Sequence, residues 1–105
     1  MRLLFDSRGR YIASEDAGRL HSPAGANIGH YLSREGIFID QRGRYLGEVI
    51  LGNRLMYNTR SPHRRVGFAV LGAYGSSGRF GDPGNAGRVG PVAGYRDVPS
   101  ERLGP

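Results

Sequence analysis

Arginine is the residue type in this sequence whose number and spacing point most directly to chemistry. All fifteen basic residues of the 105-residue chain are arginine, and the formal net charge is +6. Two R-G-R motifs surround Gly9 and Gly43, and a third cluster, T-R-S-P-H-R-R, begins at Thr59. Guanidinium groups bind phosphate through paired hydrogen bonds, and the tyrosines that follow both R-G-R motifs are placed to stack on bases. The pattern is typical of a surface that binds nucleic acid or another polyanion.

Some of these arginines have a simpler explanation as members of exposed ion pairs. Arg10 and Arg44 are expected to face Asp6 and Asp40 across a hairpin, and such pairs contribute roughly 0.2 to 1 kcal/mol. The arginines left without an acidic neighbour are Arg8, Arg42, Arg60, Arg64 and Arg65, and the first four of these are the predicted anion-binding residues. The alternative is that they are ordinary solvated turn residues, because turns are normally charged.

Residues that carry out catalysis or hold metal ions do not occur in a known arrangement. The sequence has no cysteine, no H-E-x-x-H motif, no phosphate loop, and no serine nucleophile with an adjacent histidine and acid. His21, His30 and His63 are too scattered to suggest a metal cage. The sequence therefore predicts a protein that is not an enzyme, with no catalytic residues, no cofactor and no metal site.

Four copies of one strand–turn–strand unit are expected to position the arginines. The copies begin at Leu3, Arg19, Ile37 and Leu55. Their first strands end at Asp6, Ser22, Asp40 and Asn58, and the first three copies have a glycine three residues later. D-x-x-G between two short apolar segments predicts a type I turn whose glycine has a positive φ and forms a bulge. The sequence thus predicts an all-β domain of four repeated hairpins.

In the predicted turn register, one apolar residue from each of the two strands of a hairpin lies on the same face of the sheet, and this face is the same in all four copies. The expected core pairs are Leu4 with Ile12, Leu20 with Ile28, Phe38 with Leu46, and Met56 with Val66. A small residue then follows in every second strand, at Ala13, Gly29, Gly47 and Gly67. Small residues at one point of every repeat predict a close approach between backbones.

The face opposite this core mixes aromatic, aliphatic and charged residues. A surface of that composition is typical of protein interfaces, and so short a folded segment gains little stability on its own. The predicted interface residues are Phe5, Tyr11, Ile39, Tyr45, Tyr57 and Arg65. The alternative is that this face is a second half of the core, closed by the C-terminal tail.

The repeated strand, D-x-x-G turn and small-residue strand of roughly residues 1–70 resemble the domain family known as the four-fold β flower. In that family, four β-hairpins are arranged with pseudo-four-fold symmetry. The second copy, with the turn Ser22-Pro23-Ala24-Gly25, and the fourth, without a turn glycine, depart from the pattern. The resemblance implies the fold and implies no catalytic residues.

The C-terminal part of the sequence has a different character. Residues 72–92 form seven triplets that each begin with glycine. Such a period fits a flexible or irregular tail, or alternatively extended segments packed on the domain or on other chains. The sequence therefore divides into a four-hairpin domain, residues 1–71, and a glycine-rich tail, residues 72–105.

Function and location are predicted from these features together. The expected function is a non-enzymatic interaction or assembly module that self-associates as a homo-oligomer or binds a protein partner. The alternative is arginine-mediated binding of nucleic acid or another polyanion. Charged residues close to Met1 and the lack of an apolar segment of about 20 residues predict a cytoplasmic protein without a membrane partner.

Overall fold

Short apolar segments separated by glycine turns form an all-β structure, as the sequence predicts. The computed structural model describes residues 1–70, 72, 75 and 81–104. The strands are β1 (Arg2–Phe5), β2 (Tyr11–Asp16), β3 (Arg19–His21), β4 (Asn27–Leu32), β5 (Ile37–Asp40), β6 (Tyr45–Ile50), β7 (Arg54–Asn58) and β8 (Tyr95–Asp97). A short 3₁₀ helix follows at Ser100–Arg102. Within the described residues, no helix has the length and apolar character needed to span a membrane.

Strands β1 to β7 form a closed barrel. Each pairs antiparallel with the next in chain order, and β1 closes the barrel through a parallel contact between Phe5 and Arg54 of β7. At the closure, the Phe5 amide donates to the carbonyl of Asn53 at 2.9 Å. Strand β8 extends the sheet by pairing antiparallel with β7.

The predicted turns are confirmed in the first three hairpins. Gly9, Gly25 and Gly43 have φ values of 83°, 94° and 79°. The amide of each glycine donates to the carbonyl of the residue that opens its turn, at 3.1, 2.8 and 3.0 Å. The side chains of Asp6 and Asp40 each accept two further backbone amides through Oδ1. These hydrogen bonds explain why aspartate opens a D-x-x-G turn.

The strand register beyond each turn differs from the predicted one. Leu4 pairs with Ala13, Leu20 with Gly29, and Phe38 with Gly47, so the predicted pairs with Ile12, Ile28 and Leu46 are wrong. The physical reason is a β-bulge in the second strand, at Ile12, Ile28 and Leu46, in addition to the predicted bulge formed by the turn glycine. Two residues of the second strand there oppose one residue of the first.

The core nevertheless contains most of the residues expected there. Its buried members are Leu4, Ala13, Leu20, Ile28, Phe38, Leu46, Leu55, Val98 and Leu103, and Ile12 packs against them. In the fourth copy, Met56 is buried as predicted, but it pairs with Asp97 of β8 and Val66 is 45% exposed, so the predicted pair of Met56 with Val66 is wrong. Leu55, expected on the opposite face, takes the core position of that copy.

Two of the small residues are required by close contact between neighbouring strands. A Cβ at Gly47 would lie 2.7 Å from the carbonyl oxygen of Met56 on β7. A Cβ at Gly29 would overlap the carbonyl oxygen of Ile39 on β5. The predicted close approach is confirmed at these two positions, whereas a Cβ at Gly67 would meet open space.

Part of the predicted tail is attached to the barrel. The amides of Ala86 and Val89 donate to the carbonyls of Gly9 and Ser7, both at 2.9 Å. Strand β8, Val98 and Leu103 also lie within the range predicted as tail. Residues 71, 73, 74, 76–80 and 105 lie outside the described residues, and most of these belong to the triplet repeat.

Candidate anion-binding groove

Three segments of the chain place arginine side chains around one surface groove, called here the arginine groove. They are the turn between β5 and β6, the segment 59–66 after β7, and the 3₁₀ helix Ser100–Arg102. The groove has a volume of about 650 Å³. Its charged lining residues are Arg42, Arg44, Arg64, Arg102, Asp40 and Glu101. Four positive and two negative groups therefore face this space.

The β5–β6 turn fixes where Arg42 and Arg44 lie. Asp40 Oδ1 accepts the amide of Arg42 at 2.8 Å and that of Arg44 at 3.0 Å. This arrangement holds the two residues at the tip of the hairpin, where both are exposed. Local turn chemistry is thus enough to present two guanidinium groups to solvent.

The segment after β7 is docked against that same turn. The amide of Phe68 donates to the carbonyl of Gly43 at 2.8 Å, and the backbone of Phe68 lies so close that a Cβ at Gly43 would overlap its carbonyl oxygen. Arg64 is held by a hydrogen bond from its Nε to the carbonyl of Ser61 at 2.9 Å. The contact between Gly43 and Phe68 therefore brings Arg64 to the groove that Arg42 and Arg44 line.

The carboxylate of Asp40 is paired with Arg102, which the sequence analysis did not select. Arg102 Nη2 lies 3.0 Å from Asp40 Oδ2. Burial raises the pKa of Asp40, but hydrogen bonds from the amide of Arg44, the side chain of Arg102 and the amide of Arg42 outweigh burial, so the pKa is lowered. Asp40 therefore stays ionised at neutral pH.

One of the two predicted ion pairs is confirmed and the other is wrong. Arg10 Nε lies 3.0 Å from Asp6 Oδ2. In contrast, the Arg44 side chain has no hydrogen bond or ion pair with any other described residue, because Arg102 takes the remaining oxygen of Asp40. Arg44 therefore lines the groove, although it was predicted to pair with Asp40 and not to bind an anion.

The four predicted anion-binding residues do not form one cluster. Arg42 and Arg64 share the arginine groove. Arg8 lines a different cleft, together with Arg88 and Arg96. Arg60 is exposed and lines neither. Arg88, Arg96 and Arg102 were missed because the C-terminal sequence around them carries no strand or turn pattern.

The six predicted interface residues do not form one exposed face. Ile39 and Tyr45 are 0% and 2% exposed, and with Ile37 they form a second cluster covered by Phe68 and Val70 of the same chain. Phe5 is also buried, Tyr11 and Tyr57 are half-buried, and Arg65 is exposed. The alternative interpretation of this face, a second half of the core, explains the burial of Ile39 and Tyr45, but the residues that cover it precede the predicted tail of residues 72–105.

Tyr45 stabilises the floor of the arginine groove. Its hydroxyl oxygen accepts the amide of Asn58 at 3.1 Å, and its ring lies 5.2 Å from that of Tyr57. Burial raises the pKa of Tyr45 to about 12, with the nearby Glu48 carboxylate adding to the shift. Because its ring is covered, Tyr45 has no free face for stacking on a base.

Among residues 1–70, 72, 75 and 81–104, no group of three or more histidine, aspartate or glutamate side chains is placed to hold a metal ion. Comparison of the chain with family models, with curated proteins and with solved structures found no match.

Proposed function

We propose that the protein is a non-enzymatic binder of nucleic acid and that the arginine groove holds the phosphate backbone. One observation carries the proposal. Arg42 and Arg44 come from one turn and Arg64 from a separate segment, yet all three line one groove and form no ion pair with any carboxylate of the described part of the chain. An uncompensated cluster of guanidinium groups is the arrangement that phosphate oxygens complement.

The charge of the groove supports an anionic ligand. Asp40 is engaged by Arg102, so only the exposed Glu101 opposes the three remaining arginines. Guanidinium hydrogen bonds to phosphate are charge-assisted and form in pairs, which makes them stronger than contacts between neutral groups. Binding of this kind releases counterions from the nucleic acid, so it weakens steeply as salt concentration rises.

The groove favours backbone contacts over reading of bases. Tyr45 is buried, and one face of Tyr57 is occupied by the guanidinium group of Arg96, 4.8 Å from the ring centroid. Base stacking, which the R-G-R-Y motifs suggested, is therefore not supported at this site. We expect binding with little sequence preference, since phosphate contacts carry no sequence information.

The test compares two double variants that remove the same charge. Arg42→Gln/Arg44→Gln changes the groove, and Arg19→Gln/Arg34→Gln changes two exposed arginines outside it. Fluorescence anisotropy with a labelled 20-nucleotide single strand should show a loss of about tenfold or more for the groove variant only. Equal losses in both variants would show that net charge alone acts, and would contradict the proposal.

Self-association as an assembly module stays a prediction. Of its six predicted contact residues, Tyr11, Tyr57 and Arg65 keep partial or full exposure in the single chain. Sedimentation at micromolar concentration measures it directly. The cytoplasmic location and the irregular character of the triplet repeat also stay predictions.

We further propose the pseudo-four-fold arrangement of the β flower for the four hairpins. In every turn, the carbonyl of the residue that opens the turn accepts the amide of the residue three positions later. In the fourth copy, the Ser61 amide donates in this way to the carbonyl of Asn58 at 3.1 Å. Three hairpins also share the same bulge. The fourth hairpin is completed by β8, with residues 59–94 inserted between its strands.

A further inference from the structure

A second cluster of arginines lies beside the first, in a space called here the arginine cleft. The cleft has a volume of about 520 Å³, and its arginines, Arg8, Arg88 and Arg96, are all exposed. Asp97 is the one carboxylate in its lining. Both oxygens of Asp97 are taken by Ser7, at 2.8 Å from the amide and 2.6 Å from the hydroxyl. Positive charge therefore exceeds negative charge in the cleft as well.

One wall of the cleft is attached to the barrel by Arg54, a buried arginine that binds backbone carbonyls. Arg54 is 6% exposed and donates to the carbonyls of Ala86 at 3.0 Å and Gly87 at 2.6 Å. These bonds, with that from the Ala86 amide to the carbonyl of Gly9, fix the next residue, Arg88, near the first hairpin. Because the first hairpin also carries Arg8, these hydrogen bonds fix the positions of Arg8 and Arg88 relative to each other.

The groove and the cleft adjoin each other through one contact. Tyr57 lines the groove, Arg96 lines the cleft, and the Arg96 guanidinium carbon lies 4.8 Å from the Tyr57 ring centroid. Tyr57 and Arg96 are also paired residues of β7 and β8. The two spaces thus meet where β7 and β8 pair.

We propose that the groove and the cleft form one extended site that binds the phosphate backbone of a single-stranded nucleic acid. This inference rests on the function proposed above and adds the form of the ligand. A single strand is flexible enough to follow the surface from one space to the other. Duplex DNA has a persistence length of about 50 nm, far beyond the 34 Å extent of this molecule, so it does not bend around it easily.

The experiment measures how binding depends on salt. For single strands, the logarithm of the binding constant falls against the logarithm of salt concentration with a slope of about −0.7 per phosphate contact. If the three groove arginines and three cleft arginines each make one contact, the slope for a labelled 20-nucleotide single strand is about −4. Contacts from the groove alone give about −2.

Matched double variants separate the two spaces. Arg8→Gln/Arg88→Gln should weaken binding by about tenfold and bring the slope to about −3, as should Arg42→Gln/Arg44→Gln. Arg19→Gln/Arg34→Gln, the control of equal charge, should leave the slope unchanged. Thermal unfolding of each variant checks that the fold is intact, and the cleft variant leaves the contact between Arg96 and Tyr57 in place.

The outcomes distinguish this inference from the proposed function. If the cleft variant behaves like the control while the groove variant loses affinity, the extended site is overturned and the groove alone stands. If both behave like the control, both proposals fall. Equal affinity for a 20-base-pair duplex would overturn the single-stranded ligand, and binding of inorganic polyphosphate but not of the oligonucleotide would overturn nucleic acid as the source of the phosphates.

Discussion

Gly43 lies where the turn after β5 meets the segment that carries Arg64. Its φ of 79° belongs to the left-handed region, and a Cβ there would overlap the carbonyl oxygen of Phe68. Gly36, in the turn before β5, has a φ of 72°, but a Cβ there would meet nothing within 4 Å. The two glycines share the backbone conformation and differ in their surroundings.

We therefore expect Gly43→Ala to lower the free energy of unfolding more than Gly36→Ala. The left-handed conformation alone costs a residue with a side chain about 1 to 2 kcal/mol, which both variants incur. Gly43→Ala adds the displacement of Phe68 and should also weaken oligonucleotide binding, because Arg64 moves with that segment. Urea titration and anisotropy measure the two effects. Equal unfolding free energies and unchanged binding for Gly43→Ala would contradict the docking of this segment on the turn.

Residues of the site could be predicted from the sequence only where local chemistry decides their position. Arg42 follows directly from the D-x-x-G turn, which fixes the backbone and exposes the tip. Arg44 could not be assigned, because the partner of Asp40 is Arg102, 62 residues later in the chain. A contact at that separation leaves no signal in a hairpin pattern.

At the scale of elements, β7 connects the closure of the barrel to the docked C-terminal segment. Arg54 of β7 pairs with Phe5 of β1 in the sheet, and its guanidinium group donates to the carbonyls of Asp6, Ala86 and Gly87. None of these contacts is with a carboxylate. The positive charge of Arg54 is instead compensated by the dipoles of these carbonyl groups. Because the carbonyls belong both to the barrel and to the C-terminal segment, Arg54 links the two.

Arg54→Met keeps the length of the side chain but leaves these carbonyls without their donor. Hydrogen bonds to a charged group contribute about 1.5 to 3 kcal/mol each, so we expect a loss of a few kcal/mol in unfolding free energy. Arg10→Met, which removes a pair whose arginine is 66% exposed, is the control and should cost less than about 1 kcal/mol.

Limited proteolysis should cut the Arg54→Met variant faster than the control near residues 85–89. If the two variants are cut at the same rate and unfold at the same urea concentration, Arg54 does not hold this segment.

The elements themselves were predictable to different degrees. The first three turns depend on residues within four positions of each other, and they are confirmed. The bulge formed by each turn glycine was predicted, but the additional bulges at Ile12, Ile28 and Leu46 were missed, because such a bulge shifts the register by one residue without changing the residue types at the turn. Strand β8 could not be predicted as the partner of β7, because residues 59–94 separate the two strands and Tyr95–Asp97 has no apolar alternation.

At the scale of the whole molecule, the C-terminal residues complete the core that the barrel encloses. Val98 and Leu103 are 5% and 6% exposed and belong to the same cluster as Leu4 and Phe38. Arg102, between them, pairs with Asp40 and so ties the same segment to the arginine groove. The hairpins of residues 1–70 therefore depend on residues from the other end of the chain for a closed core.

Leu103→Ala should lower the free energy of unfolding by about 2 to 4 kcal/mol, because it removes buried methyl groups and leaves a cavity in the core. Glu101→Ala, at an exposed position of the short helix that Leu103 follows, should change it by less than about 0.5 kcal/mol. A chain that ends at residue 97 loses Val98, Leu103 and the Arg102–Asp40 pair together, and we expect it to unfold at a lower urea concentration than either variant. If the shortened chain instead unfolds at the same urea concentration as the full chain, the barrel core is complete without its C-terminal residues. The burial of Leu103 would then contribute nothing to the free energy of unfolding.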